Sequence, residues 1–145
     1  MAERFKFGLE KLLEMRVTNE EESKRLFTES QREKKKVEEK LEELNSSYNK
    51  YKGITSNEDV VYQKLKRYYI QGVQNGIKTA EKDLVIKNQE VDQRRKDLTA
   101  KQMERKTVQT LKEKKYSEYI KEQDRLEQIN LDELALYAYV RNKKM

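Results

Sequence analysis

Cysteine, histidine, tryptophan and proline are all absent from this chain, and glycine occurs four times in 145 residues. Without cysteine there is no disulfide framework and no thiolate zinc site, and without histidine the commonest metal ligand and the usual general base are missing as well. Catalysis would have to run on carboxylates, lysine and tyrosine alone, with no core to form a pocket around them. The shortage of glycine and proline argues against strands and tight turns and favours long uninterrupted helices. Hydrophobic residues make up 34% of the chain and charged ones 41%, too little apolar material for a broad globular core. No apolar run of membrane-spanning length occurs, and charges interrupt Met1 to Arg16 every few positions, so neither a transmembrane helix nor a signal peptide is expected. What remains is a soluble, cytosolic, all-α protein that is not an enzyme and takes no cofactor.

The apolar residues that are present are placed periodically. Ile77, Leu84, Val91 and Leu98 recur at intervals of seven, while the companion column reads Val73, Ala80, Lys87, Arg94, Lys101, Val108. This is a heptad seam with one column apolar and the other turned basic over its middle. Long Lys and Arg stems can lie along such a seam and hold their charges in solvent or against acidic residues of a neighbouring helix. From about residue 3 to 51, Leu9, Leu13, Phe27, Val37, Leu41, Leu44, Tyr48 and Tyr51 share one pair of heptad columns, interrupted by Arg16, Glu20, Ser23, Ser30 and Lys34. A helix of this kind is marginal alone and needs a partner.

The break falls at residues 52–57, where Gly53 suits a helix stop and Ser56 with Asp59 has capping-box spacing. The expected architecture is therefore a single long antiparallel two-helix coiled-coil hairpin. Its first helix covers about 3–51, its turn 52–57 and its second helix about 58–141. A fold about residue 54 would bring Phe5 near residue 104 and leave everything past about Arg105 overhanging. The apolar stripe Val108, Leu111, Tyr119, Leu126, Ile129, Leu136 and Val140 would then lack an intrachain partner. Asn75-Gly76 is a turn dipeptide that could split the second helix, but Ile70, Val73, Ile77, Ala80 and Leu84 keep helical spacing straight through it. Near the turn a second line, Val61, Leu65, Tyr69, Gly72 and Gly76, lies beside the seam, with Leu44, Tyr48 and Tyr51 across from it. Two helices cannot cover both lines, so this face is either a Tyr-rich recognition patch or part of a thicker tip.

The net charge of +6 raises the question of nucleic acid, but the excess is local: residues 1–52 carry 13 basic against 12 acidic side chains, and residues 60–104 carry 10 against 6. Lys34 to Lys36 and Arg94 to Lys96 have acidic neighbours and read as ion-paired helix faces. Gly72 and Gly76 lack the following Lys-Ser/Thr of a phosphate loop, and adjacent carboxylates such as Glu38-Glu39 have no burial to separate their pKa values.

Three segments taken in order resemble a known family. Arg4-Phe5-x-Phe7-x-Leu9-x-x-Leu12-Leu13-x-x-Arg16 is similar to the opening of the FliJ family of flagellar type III export proteins, the Gly53 to Asn57 hairpin is similar to its turn, and Asp124 to Ala135 resembles its tail. The resemblance implies a stalk-like, non-enzymatic coiled coil of bacterial flagellum biogenesis and protein export. Its terminal parts would promote assembly of the hexameric export ATPase ring. It would contact the membrane export-gate protein and handle export chaperones, and it would reach the cytoplasmic face of the membrane at the flagellar base through those partners only. Carried over by alignment, the gate-contact positions are Lys40, Leu44, Tyr48 or its neighbour Ser47, Tyr51, Leu65, Tyr69, Gly72 and Gly76. The ATPase-contact positions implied are Phe5, Leu9, Leu13, Leu126, Ile129, Leu131 and Leu134. Gly72 and Gly76 depart from the family pattern, which has larger side chains there. Two other readings stay open: a basic helical arm that binds nucleic acid, and a homodimeric coiled-coil spacer.

Overall fold

The computed structural model describes residues 4–53 and 57–143, which form two α-helices, α1 (Glu10–Tyr51) and α2 (Val60–Lys143). The helices pack against each other as an all-α helical hairpin, with no strand among the described residues. α2 is one uninterrupted helix of 84 residues and runs through Gly72 and Gly76 without a turn. The apolar spacing on either side of the glycines outweighs their weak helix propensity.

Two compact units are distinguishable: Glu20–Lys101, and Met1–Asn19 together with Gln102–Met145. In the first, Val73, Ala80 and Val91 of α2 are buried, and Ile77, Leu84 and Leu98 are half-buried beside them. Ser30 of α1 is also buried, and its hydroxyl donates to the Phe27 carbonyl at 2.7 Å, so the polar group costs little there. Lys87, in the basic column, turns its ammonium to Glu33 of α1 at 3.1 Å and to Glu90 at 3.5 Å. The hydrogen bond to Glu33 holds the Lys87 pKa above its ordinary value. The interaction is therefore complete at neutral pH and is lost only as pH rises through that raised value. Arg94 is exposed, and its neighbour Arg95 lays its guanidinium 5.7 Å from the Phe27 ring centroid. In the second unit Leu13 and Val108 are buried, Arg16 donates to the Glu104 carbonyl at 3.0 Å, and Lys112 pairs with Glu10 at 2.8 Å.

The register differs from a fold about residue 54. Glu33 faces Lys87, Leu44 faces Gly76 and Tyr51 faces Tyr69, so facing positions are symmetric about residue 60. The reason lies in contacts of Lys66 with residues on either side of the connection: its Nζ donates to the Gly53 carbonyl at 3.0 Å and to Glu58 Oε1 at 2.6 Å, holding both alongside the first turns of α2. The ammonium also lies 5.2 Å from the Tyr62 ring centroid, and little of the Lys66 side chain reaches solvent. Asp59 precedes α2, its carbonyl accepting from the Gln63 amide at 2.9 Å; Ser56 lies outside the described residues, so the expected Ser56–Asp59 capping box does too.

The start of α1 also differs from the expected position near residue 3. Residues 4–7 are non-helical, Gly8-Leu9 form a turn closed by the Glu10 amide on the Phe7 carbonyl at 3.2 Å, and the helix begins at Glu10. Phe5, Phe7 and Leu9 alternate with a period of two, which favours extended backbone over helix.

The seam is narrow enough that a charge at one buried position is costly. Val91→Asp is expected to lower the urea midpoint by an amount corresponding to about 3 kcal/mol, because an unpaired carboxylate would replace a methyl pair that is 3% exposed. Val85→Asp, on the exposed side of α2, is expected to stay within about 0.5 kcal/mol of the parent.

Candidate contact surfaces

In the unit Glu20–Lys101 the positions beside the seam gather into one face. The rings of Tyr51 and Tyr69 meet edge to face with centroids 5.3 Å apart, and the Leu44 methyls stand 3.4 Å from where a Cβ on Gly76 would sit. Tyr48 is half-buried and Lys40 exposed on α1. Outward of these, Val61, Leu65 and Tyr68 of α2 are exposed, Leu65 by 61% and Tyr68 by 74%. The structure thus brings Leu44, Tyr51, Tyr69 and Gly76 together and leaves the line Val61, Leu65, Gly72 open to solvent. Tyr68 belongs to the same face by helical spacing, three residues after Leu65, although spacing in heptads had not selected it.

In the unit formed by the chain ends, α2 is covered further than expected. Phe5 lies against both Tyr116, edge to face at 5.2 Å, and Tyr119, tilted at 5.4 Å. These rings strap residues 4–9 across α2, so Val108 and Tyr119 do have intrachain partners, contrary to an overhang beginning at Arg105. The strap and α2 enclose an open groove of about 1660 Å³ with Phe5, Phe7, Leu9, Leu111, Tyr119 and Leu126 among its lining. One side carries Arg4 and Lys6, the other Glu118, Glu122 and Glu127. Arg125 lowers the Glu122 pKa through a charge-assisted hydrogen bond, so that carboxylate stays ionised. Of the positions implied for ATPase contact, Leu13 is buried in the seam and Phe5 is half-buried under the tyrosines. Leu9, Leu126, Ile129, Leu131 and Leu134 are exposed.

From Asp124 to Lys143 every residue of α2 is exposed. Successive residues are 100° apart, which spreads Ile129, Leu131, Leu134, Ala135, Leu136, Tyr137, Tyr139 and Val140 around the whole circumference. Among the described residues no group of carboxylates could hold a metal ion, and no helix is long and apolar enough to cross a membrane. The arrangement leaves extended apolar surface exposed on both units among the described residues.

A helical hairpin with a seam of this kind belongs to the class of coiled-coil-like all-α proteins. The model of the flagellar FliJ protein family matches residues 5–144, nearly the whole chain, and the chain belongs to that family. It is thereby a component of the flagellar export apparatus. No curated protein and no solved structure is significantly similar to it.

The strap yields a direct expectation. Phe5→Ala should raise amide hydrogen exchange over residues 10–13 several-fold, since two aromatic contacts of roughly 1 kcal/mol each are lost. Far-UV circular dichroism should stay unchanged. Exchange identical to the parent would show that the rings do not hold the start of α1.

Proposed function

We propose that the chain acts as a stalk in the flagellar type III export apparatus, entering the export ATPase ring with its terminal unit and meeting the membrane export-gate protein with the face beside Tyr51 and Tyr69. The observation that carries this reading is the end of α2. A helix apolar around its whole circumference is stable in water only when something surrounds it, and a single flat partner surface would leave half of it wet. The central opening of a hexameric ring encloses a helix on all sides, which fits that requirement. Exposed leucines and tyrosines on the second face suit a smaller one-sided contact, with aromatic anchors of the kind that dominate protein interfaces. Export chaperones would compete for the same exposed apolar surface. On this reading the protein works in the cytoplasm, and it reaches the membrane through its partners alone.

Two experiments test the assignment separately. Leu65→Ala combined with Tyr69→Ala is expected to reduce binding to the cytosolic part of the export gate at least a hundred-fold while helicity is retained; unaltered binding would remove this face from the proposal. Deleting residues 124–145 is expected to abolish stimulation of ATPase ring assembly, read as hexamer formation and ATP turnover. A truncated chain that still stimulates would refute insertion of the α2 end.

A further inference from the structure

The two glycines of α2 look equivalent in sequence and are not equivalent in structure. A Cβ on Gly76 would sit 3.4 and 3.5 Å from the Leu44 methyls, an ordinary contact with a flexible side chain, so that position faces α1. A Cβ on Gly72 would meet nothing within 4 Å, and its backbone carries no positive φ. Glycine inside a helix is less stable than alanine, and nothing within this chain requires it at position 72. The missing side chain leaves a notch in an exposed apolar face, with Leu65, Tyr68 and Tyr69 at three- and four-residue spacing before it.

The surroundings of the notch are electrostatically one-sided. From Val60 to Ala80 there is no acidic residue, while Lys64, Lys66, Arg67 and Lys78 fall within that stretch. The facing residues 40–60 carry Lys40, Lys50 and Lys52 against Glu42, Glu43, Glu58 and Asp59, but the acidic ones stand towards the two ends. From Leu44 to Gly53, opposite the notch, Lys50 and Lys52 are the charged residues. Lys66 is committed to Glu58, which leaves an apolar face bordered by basic side chains.

We infer that Gly72 is a specificity notch: it receives a bulky apolar side chain from a protein partner whose surface around that side chain is acidic. The inference rests on the proposed gate contact and adds to it the shape and charge of what docks there. Basic residues alone would suit phosphate equally well. Exposed leucine and tyrosines followed by a bare stretch of backbone are redundant for phosphate and complementary to a packed protein contact.

The test measures stability and binding of the full chain in parallel, using the purified cytosolic part of the export gate as probe. Gly72→Ala is expected to raise the melting temperature by about 2–4 °C, because helix propensity improves. The same change is expected to weaken binding about ten-fold or more, because the added methyl overfills a close contact. Opposite signs in the two readouts mark a notch. A stabilised variant that binds as well as the parent overturns the inference while leaving the gate contact standing, provided that Leu65→Ala with Tyr69→Ala still loses binding. Absence of binding by the parent chain itself overturns both. Parent affinity should also fall as sodium chloride rises from 50 to 500 mM, and an affinity independent of salt would contradict the acidic border. Single-stranded RNA serves as the second probe: binding as tight as that of the gate, and unaffected by Gly72→Ala, would replace the inference with phosphate recognition.

Discussion

The width of the helical seam constrains the rest of this molecule. In the unit Glu20–Lys101 the buried apolar residues of α2 are Val73, Ala80 and Val91, and in the terminal unit the buried pair is Leu13 and Val108. These side chains are mostly small or β-branched, which allows two helices to approach closely but removes little apolar surface from water. Stability must then come from many weak positions along two long helices, with no single cluster dominant. Glu22, Arg25, Glu122 and Arg125 are shifted chiefly by hydrogen bonds to neighbours three residues away on the surface, whereas Lys87 is raised by Glu33 across the seam.

Register in such a seam needs a second determinant, because apolar heptads alone tolerate slippage by a repeat. Charged contacts across the seam supply it. Lys87 reaches Glu33 in one unit, and Lys112 reaches Glu10 in the other. Each is a partly exposed pair of small net value. A slip of seven residues would nonetheless set Lys87 opposite Lys40 or Leu26, so the pairs discriminate between registers more than they stabilise one. The Lys66 contacts with Gly53 and Glu58 act in the same direction at the connection, fixing how far α2 projects before it meets Tyr51.

Periodicity made the helices, their antiparallel pairing and the buried column from Val73 to Val108 legible from residue types alone. It also pointed correctly to Lys87 leaning on an acidic partner. The register was not legible, because it depends on Lys66, an ordinary-looking lysine whose two acceptors are brought within reach only by the folded connection. The strap was half legible. Phe5, Phe7 and Leu9 show a two-residue period, but the heptad pattern beginning at Leu9 invites a helix over the same stretch, and the choice between them turns on Tyr116 and Tyr119 more than a hundred positions away. Of the proposed contact positions, Leu44, Tyr51, Tyr69 and Gly76 could be grouped on one face from spacing beside the seam. Tyr68 was missed because heptad columns describe what two helices bury and say nothing of what they leave out.

What they leave out is the more informative half. A chain that can bury its apolar residues within itself does so, and the surplus here is neither random nor evenly spread. It concentrates beside the connection, where the border is basic, and at the end of α2, where apolar side chains surround the helix. The first surface has a direction and can be satisfied by a partner on one side. The second has none. On the proposed reading, two surfaces of such different geometry suit two different partners better than one, and self-association would cover neither in full. A second copy would bring basic side chains against basic at the first surface, and at the second it could cover only one flank of a helix exposed on all of them.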